Sequence, residues 1–172
     1  MARTHRCNRG FTLIEGVIAS FILAVVIAAL FASWATCFNQ SAQITEVTSA
    51  ANIAQAELGI AEVFGAANMP TGTYNSSTST GTWTGAYIPA TGWTSGATAY
   101  YNYGGTQVAS STATGAFFSV SLTMTDTSVL QGTGTTYTIT GTSNRGLVVT
   151  VTNISTGVVD FTMATNLVEG GL

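Results

Sequence analysis

No charged residue falls between Gly16 and Thr45. The core of that gap, VIASFILAVVIAALFASWATCF, is apolar over a length that lets a helix cross a bilayer, for which about 20 residues suffice. Beyond it the pattern changes. Ile44, Val47, Ala51, Ala54, Leu58 and Ala61 recur at alternating steps of three and four, which makes one apolar stripe on a helix. No proline interrupts between Phe11 and Met69, whereas Gly65, Asn68 and Pro70 together form a stop signal. The spacing predicts a single helix from Phe11 to about Phe64, roughly 80 Å long at 1.5 Å per residue. The remaining residues are too few to bury it, so its first half is expected to meet lipid or other chains. Its second half is expected to pack on the C-terminal part of the chain.

From about Thr71 the period becomes two. In AFFSVSLTMT the residues Phe118, Val120, Leu122 and Met124 alternate with small polar ones, as in a strand with one buried face. LVVTVTN and VVDFTMAT, separated by Ile154, Ser155, Thr156 and Gly157, read as a hairpin. Its arms carry Leu147, Val149 and Val151 on one side and Val159, Phe161 and Met163 on the other. TTYTITG, around Tyr137 and Ile139, predicts a further strand. Residues 71–115 are rich in Thr, Gly and Ser and carry Trp83, Tyr87, Trp93, Tyr100, Tyr101 and Tyr103. Loops and short strands are expected there, with the rings packed beneath them; stacking on a sugar or a partner is the alternative use. The expected fold class is α+β. A long N-terminal helix, its hydrophobic half protruding, packs its amphipathic half on an antiparallel β-sheet head.

Composition sharpens the setting. Of the 172 residues only 6% are charged and none is lysine, so the polar surface is built from Thr, Ser, Gly and Asn. That is the composition of an exported surface. Arg3, Arg6 and Arg9 precede the apolar run and Arg145 is the only later basic side chain. The positive-inside tendency therefore leaves the N-terminus in the cytoplasm. Without the first ten residues, one arginine faces seven acids, a net charge of −6. Such a chain has no electropositive face for phosphates, so nucleic-acid binding by this chain alone is not expected.

Candidate chemistry is sparse. Cys7 and Cys37 lie in the basic leader and in the apolar run, where neither staples an exported loop, and the sole histidine, His5, is also in the leader. Beyond the leader there is no His and no Lys, so the common nucleophile and base pairs cannot be assembled. Asp126 and Asp160 are the one candidate carboxylate pair, each in a strand-like or turn-like stretch where a solvated acid is the ordinary finding. No catalytic residue, no metal-ligand cluster and no cofactor is expected. Asn75 and Asn153 head short glycosylation sequons.

Glu15, just inside the apolar run, is the residue that needs a reason. An ordinary secretory signal, cut near Ser33 and Ala35, has a shorter apolar core and no acid at its head. A permanent anchor fits the length but leaves Glu15 unexplained. The stretch GFTLIE, Gly10 to Glu15, resembles the cleavage and assembly motif of type IV prepilins and pseudopilins. The resemblance implies that a prepilin peptidase and N-methyltransferase cuts after Gly10 and methylates the new amino terminus at Phe11. It assigns Glu15 an intersubunit role in assembly.

The implied partners are other pilin or pseudopilin subunits, an inner-membrane assembly platform, and membrane lipid before assembly. The implied location is the inner membrane with the N-terminus inside, followed by a periplasmic or extracellular filament. The chain then divides into a prepilin leader (residues 1–10), a transmembrane and filament-core helix (11–38), an amphipathic continuation (39–68) and a β-rich head (69–172).

Electrostatics gives Glu15 its reason within that scheme. A lone charge at helix-centre depth costs on the order of 2.5–3.5 kcal/mol on insertion scales, less near an end. The amine freed at Phe11 is a suitable partner, since two charges about 4 Å apart attract by roughly 4 kcal/mol at an effective dielectric of 20. The alternative is an acid that merely caps its own helix dipole, worth roughly 0.3–1 kcal/mol.

Three departures place the chain within the resemblance. Gly16 fills a site where a larger apolar residue is usual, a loss of roughly 1 kcal/mol of helix propensity relative to Ala. AVVIAALFAS, residues 24–33, lacks the proline common in major subunits, and the C-terminal disulfide loop of many major pilins is missing. The late hairpin is similar to the strand pair that closes many minor pilins and minor pseudopilins. A minor subunit is expected, with a membrane-anchored, exported, adhesin-like binding domain as the alternative.

Overall fold

The computed structural model describes residues 12–75, 80–126, 130–133, 136–139 and 144–168. Its contacts divide the chain into two compact units, residues 1–43 and residues 44–172.

Helix α1 runs Leu13–Phe64 without a break, as the absence of proline predicted. Its end is built by the stop signal. Gly65 takes a φ of 71°, a conformation that a side chain disfavours, and its N–H donates to the carbonyls of Ala61 at 3.0 Å and Glu62 at 3.2 Å. The Asn68 side-chain amide donates to the Phe64 carbonyl at 2.9 Å, satisfying a further orphan of the last turn. In the first unit the described side chains are exposed, Gly16 apart.

The second unit contains a sheet of eight strands among the described residues, all pairs antiparallel. Its axis is β6 (Ala116–Asp126). On one side β6 pairs along its length with β9 (Asn144–Asn153), which pairs in turn with β10 (Val159–Val168). On the other side it is shared by β2 (Thr80–Ile88) and β4 (Ala99–Asn102). The short strands β1 (Thr73–Asn75) and β3 (Gly92–Ser95) flank β2, and β5 (Gln107–Val108) flanks β4. A separate pair joins β7 (Leu130–Thr133) to β8 (Thr136–Ile139), the latter being the strand predicted around Tyr137 and Ile139. The class is α+β: one long N-terminal helix with an antiparallel sheet.

The period-two reading of β6 and the late hairpin holds except at Val159, which is 52% exposed because the register of β10 shifts between it and Phe161. Phe118, Val120, Leu122 and Met124 are buried, and the register sets Val120 opposite Val151, Leu122 opposite Val149 and Met124 opposite Leu147. Directly opposed residues share a face, so these side chains make one apolar layer. Phe161 and Met163 of β10 continue it opposite Val151 and Val149. Against this layer α1 lays Ala50, Ile53, Ala54, Leu58 and Ala61. Each fully buried large aliphatic side chain contributes roughly 1.5–3 kcal/mol, so this layer is the main source of the head's stability.

The buried stripe of α1 keeps Ala54, Leu58 and Ala61 of the expected one but differs from it toward its start. Ile44 and Val47 are 67% and 43% exposed, and the buried face begins only at Ala50. It runs Ala50, Ile53, Ala54, Glu57, Leu58, Ala61, with an acid in its middle. Hydropathy spacing moved the stripe toward Ile44 because it counts apolar side chains and discounts Glu57. Gly85 shows a constraint that spacing does not reveal: a Cβ there would collide with the Thr94 carbonyl oxygen of β3 and lie 2.6 Å from the Trp83 ring, so glycine is what lets β3 and that indole both close on β2.

Candidate assembly and processing site

The helix starts at Leu13, with only Phe11 and Thr12 between it and Gly10; Gly10 and Phe11 lie outside the described residues. Thr12 stands where the N-cap belongs. Its backbone N–H and its hydroxyl both donate to Glu15 Oε2, at 3.2 and 3.1 Å, and the Glu15 N–H donates back to the Thr12 hydroxyl at 3.4 Å. The first helical bond runs from Gly16 N–H to the Thr12 carbonyl at 3.2 Å. This is a capping box, Thr-x-x-Glu, in which cap and acid satisfy each other's orphan groups. In a single chain, therefore, Glu15 is exposed and engaged by its own first turn. The pattern is legible in TLIE, residues 12–15, but pairing Glu15 with a distant counter-charge overlooks it.

Three further acids are placed by the second unit. Glu57, in mid-helix, is buried against the sheet and accepts a hydrogen bond from the Tyr101 hydroxyl of β4. Burial pushes its carboxyl above the ordinary 4.5, with the Tyr101 bond pulling the other way. The Tyr101 phenol is pushed up by burial, by its bond to Glu57 and by the negative charge there. Glu46 meets the hairpin end: the Asn153 amide donates to it. The half-buried Asp160 carboxyl is pushed up by burial, then by the Glu46 charge and a hydrogen bond with Glu46.

Asp126 corrects the sequence reading, since it is buried rather than solvated. It faces Arg145 across the β6 and β9 register, with Arg145 Nε 3.5 Å from Asp126 Oδ2. Arg145 Nη1 also donates to the Met69 carbonyl at 2.7 Å. The head's lone arginine therefore neutralises a buried acid and ties the segment after α1 to the sheet, which a buried ion pair can do only when further hydrogen bonds support it. Asp126 lies beside the first residues of β9, whereas Asp160 comes after the turn beyond its last residue, Asn153. The candidate carboxylate pair is not brought together.

The aromatic segment is used against itself. Phe64 closes on Tyr87 and Trp93 with ring centroids 5.5 and 5.8 Å apart, and Trp93 meets Tyr87 at 5.1 Å and Trp83 at 6.2 Å. Tyr103 and Phe117 meet edge to face at 5.0 Å, and Tyr103 borders a groove of about 330 Å³ with Ser49, Asn52 and Ala56 of α1. At the sequon, Asn153 is buried. Its oxygen accepts from the Ser155 N–H at 2.8 Å, the Ser155 hydroxyl at 2.7 Å and the Thr156 N–H at 3.3 Å, and its amide nitrogen is held by Glu46. The nitrogen that a glycan needs is thus enclosed in the folded hairpin.

A family model of the prokaryotic N-terminal methylation motif matches residues 5–31. The match supports a type IV pilin-like chain. The matched stretch takes in Arg6, Arg9, Gly10, Phe11 and Glu15 and continues into the exposed, apolar part of α1. The motif implies pilin-type assembly with other subunits and processing by a prepilin peptidase. Together with the apolar helix it points to membrane insertion and a pilus-like surface assembly. No curated protein and no solved structure matches the chain.

Proposed function

We propose that this chain is a structural subunit of a type IV pilus or a type II secretion-like pseudopilus. It is cut after Gly10, methylated at Phe11 and drawn from the inner membrane into the filament through α1. The observation that carries the reading is the continuity of the methylation motif, residues 5–31, with a helix whose most apolar window has no buried residue within the chain. Exposed apolar surface on this scale calls for lipid or other protein chains. A minor subunit is favoured by a helix without proline in residues 24–33 and by the closing hairpin β9–β10.

Glu15 then has two states. Before assembly it completes its own capping box. In the filament its carboxylate meets the methylated amine of Phe11 on an adjoining subunit, an attraction of roughly 4 kcal/mol for charges about 4 Å apart at an effective dielectric of 20. The chemistry asked of this chain is packing and one ion pair, with no reaction of its own beyond being processed.

The test is the amino-terminal residue of the mature protein, read by mass spectrometry from cells that carry a prepilin peptidase. A methylated Phe11 is expected, and Gly10→Val is expected to leave the precursor uncut. Glu15→Ala is expected to be cut normally yet fail to enter filaments. An intact Met1 in the working form would replace this reading with the anchored binding domain, and a start near Thr36 would replace it with ordinary secretion.

A further inference from the structure

The first unit carries one aromatic feature that neither the methylation motif nor the head explains. Phe31, Trp34 and Phe38 form a ladder on one side of α1, with ring centroids 6.4 Å apart for the first pair and 6.3 Å for the second. All three are exposed. The matched motif ends at residue 31, at the start of the ladder.

The ladder's place along the helix is what gives it meaning. From Glu15 to Trp34 the helix rises about 28 Å at 1.5 Å per residue. The hydrocarbon core of a bilayer is about 30 Å thick. Between those two residues the only hydroxyl side chains are Ser20 and Ser33, and Ser20 returns its hydroxyl to the Val17 carbonyl at 2.9 Å, so it asks nothing of the surroundings. Just past Trp34, Thr36 likewise donates to the Ala32 carbonyl at 3.0 Å. After Phe38 the chain turns polar at once, with Asn39, Gln40, Ser41 and Gln43. At the other end stands the Thr12 and Glu15 capping box, which water can reach only if it lies at the opposite boundary.

We infer that, before assembly, α1 spans a phospholipid bilayer with Glu15 at the inner boundary and Trp34 at the outer one, the Phe31, Trp34 and Phe38 ladder seated at the headgroup level of the outer leaflet. This rests on the membrane-inserted state of the proposed function and adds its depth and its anchor. Indole suits that level because its ring is apolar while its N–H can reach a headgroup acceptor. The placement also accounts for how Glu15 is tolerated in the membrane. At the boundary its carboxylate keeps its cap and its water, and the cost of mid-bilayer burial does not arise. Moving the subunit outward into a filament is what would carry Glu15 into apolar surroundings, where a neighbour's amine becomes worth having.

The experiment uses the full chain reconstituted in phosphatidylcholine vesicles containing lipids brominated either near the carbonyl end or near the methyl end of the acyl chains. Tryptophan emission is read, with Trp34→Phe as the control that isolates the contribution of Trp34 from those of Trp83 and Trp93. Leu23→Trp in the Trp34→Phe background reports the middle of the span. The expected result is stronger quenching of the wild type by the shallow bromines, loss of that quenching in Trp34→Phe, and the reverse depth order for Leu23→Trp. If Leu23→Trp reads deep while Trp34 is quenched most by the deep bromines or not at all, the span stands and the anchor is overturned. If neither indole is quenched, the span falls and this inference with it.

Discussion

Glu57 is the residue at which hydropathy and packing disagree most sharply. It lies on the buried stripe of α1 with a tyrosine hydroxyl for company and a carboxyl pushed above its usual range. A raised folded value means that the native state holds the proton more tightly than the unfolded chain. Its contribution to stability is therefore fully present below the unfolded value of about 4.5 and is lost as pH rises through the folded one. The Asp160 carboxyl, raised by burial and by Glu46, acts with the same sign. The head should thus lose thermal stability as pH rises above the ordinary carboxylate range, and Glu57→Gln, which keeps an acceptor for Tyr101, should raise the midpoint at neutral pH and flatten that slope. Thermal unfolding followed by circular dichroism across this range is the check. A wild-type profile that Glu57→Gln leaves unaltered would remove Glu57 from the account.

At the scale of elements, the strands were more legible than the helix face. AFFSVSLTMT and the late hairpin alternate cleanly because one side of each strand meets the core and the other does not, so β6, β9 and β10 could be read from period two. The stop of α1 was equally plain in Gly65 and Asn68, whose roles depend on local backbone geometry. The inward face of α1 was legible only in its later part, Ala54, Leu58 and Ala61; its start at Ala50 and Ile53 was not, because Ala carries little hydropathic signal beside Ile44 and Val47. The two assignments give opposite mutational patterns. Ile53→Ala should destabilise the head by about 2–5 kcal/mol, as large-to-small changes in a core do. Val47→Ala, on the exposed side, should stay within about 0.5 kcal/mol. Urea denaturation of the two variants distinguishes them, and equal losses would restore the stripe that begins at Ile44.

For the whole molecule, the contacts fall into two units, and every buried hydrophobic side chain of the described core lies at or beyond Ala50. The head's stability is accordingly expected to owe nothing to residues 1–43. Residues 44–172 produced alone should unfold at the same midpoint as the head signal of the full chain in detergent, and a markedly lower midpoint would show that the first unit supports the second.

The sequence by itself determined the linear facts: the apolar span, the charge asymmetry around it, the Gly10 to Glu15 motif, the helix-then-strand order and the period of the late strands. Each is set by composition or by spacing along one element, where neighbours in the chain are neighbours in space. Only the tertiary structure decided what depends on residues far apart in the chain. Arg145 found Asp126 and the Met69 carbonyl, Tyr101 found Glu57, and Asn153 found Glu46, because strand register and helix rotation are fixed by how whole faces pack. A buried polar group is costly until it is paired, and only the folded arrangement can say which pairs exist.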